Sequence, residues 1–135
     1  METKHANSIG YIRIFEYSAN GMLPPTKQRI LQLQSEICKV LSNPKRLEIL
    51  HELREGERTV GELTSSTGMK QANVSQHLAL MRHRNIVVER RVGNAVYYHI
   101  SDRRINNACD LMQQVILGQV IADSKLAKLA VASSR

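Results

Sequence analysis

The sequence predicts a mainly α-helical fold that carries one small β-hairpin, with long first and last helices. Three observations lead there. Apolar residues recur at helical spacing over most of the chain after residue 25. Two runs rich in β-branched and aromatic residues, 86–92 and 95–100, flank Gly93-Asn94, which is a hairpin signal. Between the first helices and that hairpin, residues 59–81 read as two short helices joined by a tight turn.

Residues 1–23 are the least legible. Ile9–Tyr17 holds three of the five aromatic residues of the chain, Tyr11, Phe15 and Tyr17. So many aromatics favour packing over hydration. An arm on the body or on a partner subunit, and a lid over an effector site, both fit. Asn20-Gly21 and Pro24-Pro25 close this segment. A first helix is expected from near Thr26 to Leu41, with Ile30, Leu33, Ile37, Val40 and Leu41 as its buried stripe and Cys38 beside it. Ser42-Asn43-Pro44 restarts the chain with a cap and a first-turn proline. The next helix should run to about Arg54 and bury Leu47, Leu50 and Leu53, with Ile49 nearby. Glu55-Gly56-Glu57 reads as a loop.

Thr59 with Glu62 three residues on makes a capping box, and Gly68 is placed to end that helix. Val60 and Leu63 face inward. The following helix begins near Lys70. Val74, Leu78 and Met81 share its inner face, so Ala72, Gln76, Ala79 and His83 point away, flanked by Asn73 and Ser75. That outer face is small, amide-rich and free of acid. Gln and Asn can pair with adenine, Ser can reach either kind of base, and Ala can touch a thymine methyl. The pattern is that of a helix-turn-helix reading a major groove; a merely solvated face is the alternative. Ser101-Asp102 caps a last helix with Ile105, Ala108, Met112, Val115, Ile116, Gln119 and Val120 at three- and four-residue spacing, fading through Leu126 and Leu129. A helix of about 28 residues would be about 42 Å long. One apolar face of it then needs a partner, most simply the same helix of a second copy.

Charge points the same way. The 135-residue chain carries a net charge of +7. From Lys70 to Arg91, five basic residues face one acid, Glu89, whereas residues 42–60 balance at four of each. A basic chain suits a polyanion. No apolar run approaches a membrane span, and no signal-peptide pattern opens the chain, so a cytoplasmic protein is expected. The two cysteines, Cys38 and Cys109, do not make a disulfide scaffold. No nucleophile–base set, phosphate loop or metal triad stands out, which argues against an enzyme.

Four stretches in order, VLSNPKRLEIL, TVGELTSSTG, NVSQHLALMR and VVERRVGNAVYYHIS, make residues 38–101 resemble the arsenic-repressor (ArsR) family of dimeric winged helix-turn-helix regulators. The expected domains are an N-terminal arm (1–25), a winged helix-turn-helix DNA-binding domain (26–101), and a C-terminal dimerisation helix and tail (102–135). The resemblance implies a homodimer joined through the first and last helices, and a double-stranded DNA operator as partner. Base-edge candidates are Gln71, Ala72, Asn73, Ser75 and Gln76; backbone and wing candidates are Lys70, Arg82, Arg90, Arg91 and Asn94. Lys70 departs from the serine usual at that cap. A phosphate would compensate for its charge beside a helix N-terminus. For Arg90 and Arg91, a charged edge that blocks aggregation is a compatible role.

The family's metal and thiol sensors imply ligands that this chain lacks. Residues 59–62 hold no cysteine pair, and no histidine follows His99 to pair with Asp102. No metal and no cofactor are therefore expected, and the effector stays open. His77 reads as a packing residue more than a base contact, His83 as facing phosphate, His51 and His99 as structural, and His5 as part of a tail. Cys38 and Cys109 on the two interface helices are either ordinary small core residues or a redox pair.

Overall fold

The computed structural model describes residues 25–133. The expectations for the aromatic segment Ile9–Tyr17 and for His5 lie outside the described residues. Two compact units divide between Ser42 and Asn43.

The first unit contributes one described helix, α1 (Pro25–Leu41), with Lys39 in its last turn where a cation suits the helix dipole. The expected stripe is present in spacing but mostly open. Ile30 and Leu33 are over 40% exposed, Ile37 and Leu41 are half-buried, and only Val40 is buried. Apolar surface left open along one helical stripe is a candidate contact surface.

In the second unit, α2 (Pro44–Glu52) starts as its sequence demands. The Asn43 side chain accepts from the N–H groups of Lys45 and Arg46 at 2.9 and 3.2 Å, and Pro44 fills the first helical position, where no N–H is missed. Its inner face differs from expectation. Ile49, Leu50 and Leu53 are buried while Leu47 is 39% exposed. At about 100° per residue, Leu53 falls between Ile49 and Leu50, and Leu47 lies well round the helix from that trio. A 3-10 turn (Leu53–Glu55) and Gly56, at φ 143°, lead into β1 (Arg58–Thr59). Only glycine adopts such a backbone without strain.

The Thr59–Glu62 capping box opens α3 (Val60–Thr67), with both reciprocal bonds made at 3.2 and 3.1 Å. Gly68 closes it in the left-handed conformation, φ 69°. After α4 (Gln71–His83), the N–H of Ile86 donates to the Met81 carbonyl and that of Asn85 to the Arg82 carbonyl. Asn85 sits at φ 56°, so this is a Schellman ending with asparagine in glycine's usual place. β2 (Val87–Val92) and β3 (Ala95–Ile100) pair antiparallel from Val92↔Ala95 to Val87↔Ile100. Gly93, at φ 59°, takes the first turn position.

The sheet has a third strand that the sequence analysis does not foresee. β1 pairs with β3 through Arg58↔Tyr98 and Thr59↔Tyr97, giving the order β1-β3-β2. A two-residue strand is too short to show an alternating pattern. The core beneath comprises Ile49, Leu50, Leu53, Leu63, Val74, Leu78, Met81, Ile86 and Val87.

The last helix is shorter than expected. α5 (Arg103–Ala122) spans 20 residues, or about 30 Å, and ends at Asp123, whose backbone is extended. α6 (Ser124–Ser133) follows. Asp and Ser favour helix boundaries because their side chains compete for backbone hydrogen bonds, and Asp123-Ser124 sits at the break. On α5, Leu111, Met112, Val115, Ile116, Leu117, Val120 and Ile121 are all exposed.

Candidate nucleic-acid interface

The orientation of α4 is fixed from below. Val74, Leu78 and Met81 are fully buried, so the helix cannot roll without lifting all three from the core. The opposite face is then set. Gln71, Ala72, Asn73, Ser75 and Gln76 are all exposed, as are Ala79 and His83. No acidic residue occurs on α4. The structure therefore gathers four base-edge candidates, Ala72, Asn73, Ser75 and Gln76, on the open side of the first turns of one helix, while Gln71 is exposed at the N-terminal end in line with Val74 and Leu78.

Lys70 is the N-cap, with an extended backbone at φ −65° and ψ 142° and no capping bond from its side chain. Its carbonyl accepts from Asn73 and Val74. The side chain is exposed beside the helix N-terminus, where N–H donors and the helix dipole favour an anion.

The arginines are less free than their count suggests. Arg90 forms a two-armed ion pair with Glu57 at 2.9 and 3.0 Å, and its guanidinium lies 5.6 Å from the centre of the Tyr97 ring. Tyr97 is its partner across the β-ladder. The Arg90 hydrogen bonds hold the Glu57 carboxyl below its ordinary range and raise Arg90 in turn. Arg82 pairs with Glu89 at 2.8 Å, and Arg91 reaches the same carboxylate oxygen at 4.0 Å. Arg91 is 73% exposed and has the longest of these contacts, so it is the most available to a phosphate. Asn94 is exposed at the hairpin turn.

Two acids thus organise the basic surface, and sequence reasoning gave neither that role. In the sequence Glu89 is only a lone opposing charge. Glu57 lay in an apparent loop, 33 residues from the arginine it holds. The signal was the short Arg58-Thr59 strand, which brings Glu57 alongside the wing.

The remaining sensor candidates scatter. Cys38 is exposed and Cys109 half-buried. Burial pushes the Cys109 thiol up, helped by Asp110, so its nucleophilic thiolate is disfavoured. His77 is half-buried, and burial lowers its pKa, in keeping with a packing role. His51 is exposed rather than structural. Asp102 is committed to its own helix. It accepts from the N–H of Arg104 at 2.9 Å and pairs with that guanidinium, which holds its pKa to about 2. Among the described residues, no cluster of His, Cys, Asp or Glu could hold a metal ion, and no helix is long and apolar enough to cross a membrane.

Residues 43–88 match the family model for bacterial regulatory proteins of the arsR family. An uncharacterised HTH-type transcriptional regulator of Mycobacterium tuberculosis is 38% identical over 95 residues, which are 70% of this chain and 82% of the relative. The arsenical resistance operon repressor of Bacillus subtilis is 32% identical over 82 residues, 60% of this chain and 78% of that one. Among solved structures, the homodimeric winged helix-turn-helix DNA-binding domain of a possible ArsR-family regulator from Mycobacterium bovis aligns with a TM-score of 0.67. It is 29% identical and covers 75% of this chain and 94% of that domain.

Proposed function

The chain belongs to the ArsR family of bacterial regulatory proteins, and on that premise we propose that it is a homodimeric, cytoplasmic repressor that binds a double-stranded DNA operator sequence-specifically. The observation that carries this reading is the face of α4: four exposed small or amide residues without an acid, held outward by three fully buried side chains, with Gln71 exposed at the helix start. Gln71, Ala72, Asn73, Ser75 and Gln76 read base edges. Lys70, Arg82, Arg91 and Asn94 contact the DNA backbone, and Arg90 joins them when it leaves Glu57. The open apolar residues of α1 and α5 support a dimer joined through these helices. A two-fold axis would then set two recognition helices on half-sites about one DNA turn apart. The name of the Bacillus subtilis relative supports repression as the sign of regulation.

Titration of the purified protein with DNA from its own upstream region and with a scrambled duplex, at two salt concentrations, tests the proposal. Tighter binding to its own DNA that falls steeply with salt is expected. Equal, weak binding to both would instead favour a winged-helix module that binds protein.

A further inference from the structure

A cleft of about 300 Å³ opens where the 3-10 turn, the loop into β1, the end of β3 and the first turns of α5 meet. None of its lining residues is among the proposed DNA contacts. Its size suits a small molecule. Leu53 and Ile100 give it an apolar wall.

Two of its polar side chains make no hydrogen bond within the chain that meets their polar atoms there. Asn106, in the lining, is the one buried polar residue among those described, only 9% exposed, and its side-chain amide takes part in none of the side-chain hydrogen bonds found there. The Nδ1 atom of His99, also in the lining, is buried without a hydrogen-bond partner. A buried polar atom in a folded protein is almost always paired, so Nδ1 of His99 calls for a partner, and the Asn106 amide, which keeps access to solvent, is open to one.

Charge narrows the chemistry. Four charged side chains line the cleft, and two are engaged: Arg54 in a forked pair with Asp110, and Glu57 with Arg90. Arg103 and Glu55 make no salt bridge within the described residues. They are opposite in sign. Arg103 opens α5 three residues before Asn106, so both lie on one face of that helix. Asp102 already caps that helix end and pairs with Arg104, so the free positive charge on this side of the cleft is Arg103's own.

We propose that this cleft binds a small zwitterion of the free α-amino-acid type, and that the bound ligand acts on the wing through Glu57. The ligand carboxylate meets Arg103. Its ammonium meets Glu55 and draws on Glu57. Asn106 and His99 supply the remaining hydrogen bonds, and a small apolar side chain rests on Leu53 and Ile100. Glu57 drawn toward an ammonium releases Arg90 to reach a phosphate, so occupancy raises operator affinity. This coupling rests on the DNA-binding reading above; the cleft's ligand chemistry does not.

The test uses the full chain and the free L-α-amino acids, added one at a time while the Asn106 side-chain amide and the His99 ring are followed by NMR. At least one amino acid should shift both groups, its uncharged N-acetyl amide should not, and the exposed-site variants Arg103→Gln and Glu55→Gln should each lose the response. The active amino acid should also tighten operator binding about 5-fold or more. No response to any free amino acid would overturn the site, as would an equal response to the uncharged analogue or in both variants. Binding that leaves operator affinity unchanged would overturn the link to the wing. The NMR titration contains no DNA, and operator binding is measured first without ligand, so failure of the site and failure of the DNA-binding reading are told apart.

Discussion

Thr59 belongs to two elements: its backbone pairs with Tyr97 in the sheet, and its hydroxyl caps α3. Removing that hydroxyl leaves an N–H of the first turn without its partner. Thr59→Ala should lower stability by about 1 kcal/mol in denaturant unfolding. Asn85 is the other residue held by backbone geometry. In its left-handed conformation an alanine is strained and a glycine is not, so Asn85→Ala should destabilise by about 1–2 kcal/mol while Asn85→Gly stays near wild type. Residues of this kind are legible when the signal is local. The Thr59–Glu62 spacing, Gly68 and the trio Val74, Leu78 and Met81 all lie within one or two turns of each other. Asn85 was not read, since asparagine serves many loops and only its φ shows which role it has here.

At the scale of elements, the wing is tied to the loop before β1 by the Glu57–Arg90 pair and the Tyr97 ring. This tie was illegible because it joins segments 33 residues apart through a strand of two residues. The pair also competes with DNA for Arg90. Glu57→Gln should therefore tighten binding to any duplex and steepen its salt dependence, read by titration at several ionic strengths. The tie has a pH signature. The Glu57 carboxyl is held below its ordinary value of 4.5, so its contribution to stability is complete above that value and is lost as pH falls through the lowered one. Thermal melts should show wild type losing more stability on acidification than Glu57→Gln. Parallel losses in the two proteins would contradict the assignment.

For the whole molecule, the exposed apolar residues of α1 and of α5 are what one chain leaves unexplained among the described residues. Helical periodicity revealed that surface but not where α5 ends. The apolar spacing continues past Asp123 while α5 does not: the Asp123 backbone is extended, and Asp and Ser favour helix boundaries. Among the described residues, Val115, Ile116 and Val120 of α5 are exposed. Ile116→Asp should leave the fold intact and shift the protein from dimer to monomer in sedimentation, with a loss of operator affinity. A monomeric wild type would remove the basis for paired half-sites.

The central claim is a division of labour on one surface, with the α4 face reading sequence and the wing holding the backbone. Affinities of Gln76→Ala and Arg91→Ala, each measured on operator and scrambled duplex across a salt series, test it most directly. Gln76→Ala should lose about 1–3 kcal/mol on the operator and almost nothing on the scrambled duplex. Arg91→Ala should weaken both duplexes alike and flatten the salt slope. Equal losses on both duplexes for Gln76→Ala, or an unchanged slope for Arg91→Ala, would contradict the account.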